Sequence, residues 1–400
     1  MTRVSLLVLA LLALVAAPAQ AAGLTATKRV LNREMRAAGA YSGAYVVDMD
    51  TGRTLYSRRA DVPRMPASVE KLYTSSTALL LYGAQGHLTT TVLADALPDA
   101  AGLVPGNLVL RGGGDPTLDK SSLAALAAQL VAGGLSHVEG RVLGDESAFD
   151  AFRGVPSSRY ALTSDVGPLS ALAYDHGVTG KRRPFWQRSP AWFTANQLTR
   201  MLRRRGVEID GRPRAGRAST GMVPLLEWDS PALGDIVQAM NQPSDNYMAE
   251  TLAKDLGADF GSAGSTSAGA AVVRSTIARF GISPTVVDGS GLSRSDRTSP
   301  RQVVKLLTSM ADTDQGATLD ASLPVVGRNG TMYNRMRGTT AQDRCHTKTG
   351  TLHDVSALAG YCTTRGGDRL AFAFLMNYVY PLSAHVWQDK MTVALARYDG

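Results

Sequence analysis

Residues 345–362 have the sequence C-H-T-K-T-G-T-L-H-D-V-S-A-L-A-G-Y-C, which predicts two strands joined by a turn near His353 and Asp354. Folding the chain back at this turn places Cys345 opposite Cys362. Directly opposed residues of an antiparallel pair have Cα atoms about 4.5–5.5 Å apart, a distance that a disulfide can span. We therefore predict an antiparallel hairpin closed by a Cys345–Cys362 disulfide, and two free buried thiols are the alternative.

The first strand of this hairpin contains K-T-G at Lys348 to Gly350, and two other short motifs precede it in the chain. They are S-V-E-K at Ser68 to Lys71 and S-D-N at Ser244 to Asn246. Each motif alone is weak evidence, because such short patterns arise by chance in a chain of 400 residues. All three in this order are typical of a serine active site of the penicillin-recognising type.

The first motif pairs a hydroxyl with an amine. A serine hydroxyl is a poor nucleophile at its own pKa and needs an adjacent base. Ser68 and Lys71 are three residues apart in a predicted helix over residues 68–81, which places them on one face of that helix. Lys71 is a base only if its pKa falls, and burial or a nearby cation such as Lys348 would lower it. The alternative for Ser68 is an ordinary serine at a helix N-terminus.

The second motif lies between two predicted helices. In a short turn, the side chains of Ser244 and Asn246 can point the same way. Ser244 would then relay a proton between Lys71 and a leaving amine, and Asn246 would hydrogen-bond a substrate amide and Lys71. The alternative is a plain helix start, since Ser244 and Asp245 are both good N-cap residues.

The third motif offers a charge, a hydroxyl and a strand edge. Lys348 and Thr349 would bind a substrate carboxylate, and Gly350 has no side chain, so a ligand backbone can approach the strand. The backbone N–H of Thr351 would pair with that of Ser68 as an oxyanion hole, in which one donor contributes about 2.7–4 kcal/mol. The alternative is an exposed strand with a glycine bulge.

The remainder of the chain predicts an α+β fold in two parts. Residues 22–86 and 221–400 are expected to form one domain, an antiparallel sheet flanked by helices, with the first and last helices covering one face. Residues 87–220 change in character, with short strands and two predicted helices. We expect them to form a smaller inserted α+β domain.

The N-terminus predicts export. Residues 1–21 combine Arg3, an apolar stretch and a small-residue cleavage site at Ala19 to Ala21, which is typical of a secretory signal peptide. An uncleaved anchor is the alternative, and no later segment is long and apolar enough to span a membrane. We expect an exported protein, periplasmic or otherwise extracytoplasmic at the cell wall, with no transmembrane segment after cleavage.

Composition narrows the partners. The net charge is +8, but the positive residues are scattered and an exported protein rarely meets nucleic acid, so no nucleic acid partner is expected. Six scattered histidines without H-E-x-x-H argue against a metalloenzyme. The glycine-rich turn from Gly112 to Pro116 lacks the Gly-Lys-Ser/Thr ending of a phosphate loop. Neither a metal nor another cofactor is expected.

With these motifs the chain resembles the low-molecular-mass class C penicillin-binding proteins, the D-alanyl-D-alanine carboxypeptidase/endopeptidase family. The resemblance extends to R-G-G-G-D-P-T-L at residues 111–118, D-G-S-G-L-S-R at 288–294 and K-T-G-T-L-H-D-V-S-A-L-A-G-Y at 348–361. It implies a serine β-lactamase/DD-peptidase-like fold. The roles it implies are an acylated nucleophile at Ser68, a general base at Lys71, second-motif residues at Ser244 and Asn246, and carboxylate binders at Lys348 and Thr349.

The same resemblance implies a function. The protein would be a serine D-alanyl-D-alanine carboxypeptidase, with endopeptidase activity as a second reaction, that trims peptidoglycan stem peptides through an acyl-enzyme on Ser68. It would also bind β-lactam antibiotics covalently. The alternatives are a β-lactam sensor with little turnover, a wall-binding scaffold and a serine β-lactamase.

Overall fold

The computed structural model describes residues 23–180 and 185–399 of the chain. Its strands in chain order are β1 (Ser42–Asp48), β2 (Thr54–Arg58), β3 (Thr89–Ala94), β4 (Leu103–Val104), β5 (Leu108–Arg111), β6 (His137–Val138), β7 (Val142–Asp145), β8 (Val178–Thr179), β9 (Phe185–Trp186), β10 (Glu208–Ile209), β11 (Arg214–Ala215), β12 (Val223–Asp229), β13 (Cys345–Leu352), β14 (Val355–Thr363) and β15 (Arg369–Asn377). Its α-helices are α1 (residues 23–37), α2 (Lys71–Tyr82), α3 (Lys120–Ala132), α4 (Pro190–Arg203), α5 (Leu233–Asn241), α6 (Asn246–Phe260), α7 (Thr266–Ile277), α8 (Pro300–Ala311), α9 (Gly316–Ser322) and α10 (Pro381–Ala396).

A five-stranded antiparallel sheet forms the centre of the larger part, with the strand order β13-β14-β15-β1-β2. The middle strand β15 is almost continuously apolar and buried, because helices cover both faces of the sheet. β13 is an edge strand of this sheet, and among the described residues its outer side pairs with no other strand and has one isolated bridge, from His346 to Val325. The site described below forms along this free side.

Helices from distant parts of the chain cover the two faces. On one face, Leu31 of α1 and Met391 of α10 pack in the same cluster as the sheet residue Phe372, so the first and last helices share a face as expected. On the other face, Leu72 of α2 and Leu252 of α6 belong to a second cluster. The predicted α+β class, an antiparallel sheet flanked by helices, is confirmed.

The β13–β14 hairpin has the register that the cysteines predicted. Cys345 is directly opposite Cys362, their Cα atoms are 4.0 Å apart, and a disulfide joins them. Both cysteines are fully buried. The disulfide therefore ties the two strands together at the end of β13 that precedes the K-T-G motif.

The region between α2 and α5 builds separate sheets. One has the order β11-β7-β5-β3-β12 and another the order β10-β6-β4, and their apolar residues form a cluster of their own with α3 and α4. The last strand, β12, pairs with β3 over its whole length. This sheet therefore runs past residue 220, the position at which the sequence predicted an insertion to end.

A signal peptide was predicted at the N-terminus of the chain. The predicted signal peptide, residues 1–21, lies outside the described residues, and α1 is the first element of the described chain. Within the described ranges, no helix combines the length and the apolar character needed to cross a membrane.

Candidate active site

Ser68 lies in a 3-10 turn, Ala67–Glu70, that leads directly into α2. Ala67 has a backbone φ of 48°, in the left-handed region that residues other than glycine rarely adopt. Strain of this kind costs on the order of 1–3 kcal/mol and concentrates at functional sites. Lys71 Nζ lies 3.1 Å from Ser68 Oγ and donates to it. The predicted spacing thus brings the hydroxyl and the amine together.

Lys71 is fully buried and has two further hydrogen-bond acceptors. They are Asn246 Oδ1 at 2.6 Å and the Ser290 carbonyl at 2.8 Å. Burial lowers the pKa of Lys71 to about 8, while nearby carboxyl groups, Asp288 foremost, act in the opposite direction. We expected Lys348 to share in this lowering, but the principal cause is desolvation of the amine.

The second motif was predicted either to cap a helix or to contact a lysine of the site, and Asp245 does the first while Ser244 does the second. Asp245 is the N-cap of α6, and its carboxylate accepts from Met248 N at 2.9 Å. Ser244 has a strained φ of 65°, and its Oγ accepts from Lys348 Nζ at 2.8 Å. A direct relay would need Ser244 to contact Lys71, whereas the contact found here is with the lysine of the third motif.

Asn246 is the first residue of α6, and its amide is held at both ends. Its Oδ1 accepts from Lys71 Nζ, and its Nδ2 donates to the Asp165 carbonyl at 3.0 Å. Because Asp165 lies between α2 and α5, that region of the chain contributes directly to the site. The hydrogen bond to the Asp165 carbonyl orients the amide so that its oxygen faces Lys71.

Lys348 is the second fully buried lysine of the site. Its Nζ donates to Ser244 Oγ and to the Thr349 carbonyl at 3.0 Å, both of them uncharged oxygens. Burial, and then the charge of Lys71, lower the pKa of Lys348 well below its ordinary range. Hydrogen bonds thus link the three motifs: Lys71 donates to Ser68 and Asn246, and Lys348 donates to Ser244.

Gly350 is close to the turn that carries Ser68. A Cβ at this position would lie 2.6 Å from the Pro66 carbonyl and 3.0 Å from Ser68 N. We expected the missing side chain to admit a ligand, but its immediate effect is to let the Ser68 turn approach β13. Thr349 is buried, and Thr351, the residue after the motif, is exposed.

Three contributors to the site were not found from the sequence. The Ser290 and Asp165 carbonyls are backbone oxygens, which have no signature in residue type, and Thr331 Oγ1 accepts from Thr349 Oγ1 at 2.9 Å. Ser290 did lie in one stretch that supported the family resemblance, residues 288–294. For Asp165 and Thr331 the sequence offers no signal.

The sequence matches the D-Ala-D-Ala carboxypeptidase 3 (S13) family over residues 28–182 and 176–398. The chain belongs to this family. All three motifs lie within the matched ranges, and the resemblance to low-molecular-mass class C penicillin-binding proteins is confirmed.

Two curated relatives of this family are similar over most of their length. A D-alanyl-D-alanine carboxypeptidase of an Actinomadura species is 31% identical, over 90% of this chain and 82% of the relative. The carboxypeptidase DacB of Mycolicibacterium smegmatis is also 31% identical, over 84% of this chain and 76% of the relative. Similarity at this level covers both parts of the fold.

A solved structure shares the fold. Penicillin binding protein 4 of Haemophilus influenzae superposes with a TM-score of 0.77 and 21% identity, covering 90% of this chain and 96% of that one. A second structure of that protein, in complex with a β-lactam, has a TM-score of 0.73 and the same identity. At this identity the match confirms the architecture of the chain.

Proposed function

We propose that the protein is a serine D-alanyl-D-alanine carboxypeptidase acting on peptidoglycan stem peptides. The observation that carries the proposal is the contact of Ser68 Oγ with Lys71 Nζ at 3.1 Å, in a site where burial lowers the pKa of the amine to about 8. Such an amine is neutral in a large fraction of molecules near pH 8 and can accept the serine proton. Membership of the S13 family and the names of its carboxypeptidase relatives support the same reaction.

In the proposed acylation step, Ser68 Oγ attacks the carbonyl carbon of the penultimate D-alanine. Lys71 takes the serine proton, and the carbon–nitrogen bond to the terminal D-alanine breaks. Ser244 gives its hydroxyl proton to the departing amine and takes a proton from the Lys348 ammonium, which is hydrogen-bonded to Ser244 Oγ. Water then hydrolyses the ester on Ser68, releasing the shortened peptide.

The terminal carboxylate of the substrate fits the third motif. Lys348 would meet it with an ammonium group, Thr349 with a hydroxyl, and the N–H groups of Ser68 and Thr351 would stabilise the oxyanion. A site that needs a free carboxylate favours the carboxypeptidase reaction over cleavage of cross-links, which we keep as a second activity. β-Lactams share the carboxylate and the reactive carbonyl, so we propose that they acylate Ser68 as well.

We also propose that the protein is exported and that it consists of a catalytic domain with a smaller inserted domain. The predicted signal peptide at residues 1–21 supports export to the compartment that contains peptidoglycan. The separate apolar clusters of the two regions support a catalytic domain with a smaller inserted domain. The hydrogen bond from Asn246 to the Asp165 carbonyl gives the inserted domain one task, which is to orient a catalytic amide.

The test compares the wild type with Ser68→Ala. Each is incubated with a labelled penicillin and with a diacyl D-Ala-D-Ala peptide, and intact mass and released D-alanine are measured. We expect an adduct and D-alanine release for the wild type and neither for the variant. An adduct without release would indicate a sensor, rapid loss of the adduct with opened penicillin would indicate a β-lactamase, and absence of an adduct would refute the proposal.

A further inference from the structure

A buried glutamate lies on α6 one helical turn beyond Asn246. Glu250 follows Asn246 by four residues, so the two side chains lie on the same face of the helix. Asn246 contacts Lys71 directly. Glu250 is fully buried and contacts the loop that supplies the other acceptor of the Lys71 amine.

Glu250 holds this loop through its backbone. Its Oε1 accepts from the N–H groups of Gly289 at 3.2 Å and Ser290 at 2.9 Å. The Gly289 carbonyl in turn accepts from the Thr74 hydroxyl on α2 at 2.8 Å. The next carbonyl, that of Ser290, accepts from Lys71 Nζ at 2.8 Å. The loop is therefore fixed between α6 and α2 at the point where it contacts the lysine.

The position of this carbonyl matters for proton transfer. A neutral lysine amine has two N–H bonds and one lone pair. When the N–H bonds donate to Asn246 Oδ1 and the Ser290 carbonyl, the lone pair is left for Ser68 Oγ, which lies 3.1 Å away. A general base needs its lone pair within hydrogen-bond reach of the proton that it takes. Without one of the two acceptors, the amine would be free to rotate away from Ser68.

We propose that Glu250 is a positioning residue for Lys71, because it fixes the Ser290 carbonyl and thereby orients the amine toward Ser68. This inference rests on the proposed roles of Ser68 as nucleophile and Lys71 as base. α6 thus contributes to both acceptors, to one through Asn246 and to the other through the loop that Glu250 holds.

An amide oxygen could also accept the two N–H groups that Glu250 accepts. A carboxyl group differs from an amide because it can carry a negative charge. Burial raises the pKa of Glu250 to about 8, and its Oε2 has no hydrogen-bond partner among the described residues, so the group is costly to bury. When ionised, it favours the charged form of Lys71 and raises the pKa of that amine. The other ionisable groups that interact with this pair include Glu70, Asp245, Lys254, Asp288 and Lys348.

Two variants separate the acceptor from the charge. Glu250→Gln keeps an acceptor oxygen and removes the charge, whereas Glu250→Met removes both and has a similar shape. Asp48→Ala is the matched control, because the buried Asp48 carboxylate also accepts two backbone N–H groups, from Asp50 and Thr51 in the β1–β2 turn. For each protein, the second-order rate constant of acylation by a fluorescent penicillin is measured from pH 6 to 9, together with the melting temperature.

We expect Glu250→Met to acylate at least about tenfold more slowly than the wild type at pH 8, since general-base catalysis contributes about 10²–10⁴-fold. Glu250→Gln should acylate within about threefold of the wild type at pH 9. Its rate should begin to fall at a lower pH than that of the wild type, because Lys71 loses an anionic neighbour. Asp48→Ala should melt earlier and acylate at the wild-type rate.

The outcomes distinguish this inference from the function on which it rests. If the wild type forms no adduct, the proposed function fails and the inference fails with it. If the wild type is acylated and Glu250→Met is equally fast, only the positioning role is overturned. If Glu250→Met does not fold, Glu250→Gln decides: acylation within about threefold of the wild-type rate at pH 9 supports the role of the acceptor oxygen, and a larger loss at pH 9 overturns it.

Discussion

The acylation rate should depend steeply on pH below about 8, because only the neutral amine of Lys71 can accept the Ser68 proton. With a pKa of about 8, roughly nine-tenths of molecules carry the neutral amine at pH 9 and about one in a hundred at pH 6. Acylation should therefore fall about ninetyfold over this range, and tenfold for each pH unit well below 8. A lysine at its ordinary value of 10.5 would be neutral in only about 0.3% of molecules at pH 8.

The assay is the second-order rate constant for adduct formation with a fluorescent penicillin, measured at half-unit steps from pH 6 to 9. Melting temperatures at the same pH values exclude unfolding as the cause of a lower rate. Lys71→Arg is the control variant, because its guanidinium stays charged at every pH tested. It should form no adduct within the time in which the wild type is fully acylated.

A flat pH profile between 6 and 8 would refute this reasoning, since the charged form of Lys71 would then support acylation as well as the neutral one. Substantial acylation of Lys71→Arg would refute it independently. Because Lys71 interacts with the Glu250 carboxyl, the measured midpoint belongs to the coupled groups together.

Two further predictions concern packing and buried charge. Gly350→Ala should be acylated at least about tenfold more slowly than the wild type, because the added Cβ would lie 2.6 Å from the Pro66 carbonyl and displace the turn that carries Ser68. Gly216→Ala is the control and should be acylated at the wild-type rate, because its Cβ would meet side-chain atoms no closer than 3.4 Å. Asp255→Asn should raise the melting temperature at pH 8 and change it little near pH 4. Burial raises the folded-state pKa of Asp255 well above the unfolded value of about 3.9, so the wild type loses stability as pH rises past that value. Equal effects at both pH values would contradict this prediction.

Features that depend on nearby residues could be predicted from the sequence. α8 begins at Pro300, where Ser299 accepts from Gln302 N as N-cap and proline suits the first helical position, and both signals are local to the sequence. The hairpin register followed from Cys345 and Cys362, since a fixed turn determines which residues oppose each other. The contact of Ser68 with Lys71 followed from helical spacing for the same reason.

Features that depend on contacts between distant segments could not be predicted. Ser244 was expected at Lys71 and lies at Lys348, because the approach of β13 to the start of α6 is a property of the whole fold. The Ser290 and Asp165 carbonyls could not be predicted at all, since every residue has a carbonyl and only the chain path decides which one reaches the site. The sequence motifs therefore predict which side chains meet at the site, but they do not predict the backbone carbonyls that accept hydrogen bonds from those side chains.

The two buried lysines explain why this site suits a substrate that carries a carboxylate. Burying an ammonium without an anion is costly. Among the described residues, Lys348 Nζ donates to the neutral Ser244 hydroxyl and Thr349 carbonyl, and burial lowers its pKa well below the ordinary range. A carboxylate that enters beside Lys348 would supply the missing anion and favour its charged form. The added cation would then lower the pKa of Lys71 and favour the neutral amine that the base requires. Binding of the substrate carboxylate would thus favour the charged form of Lys348 and the neutral form of Lys71 together.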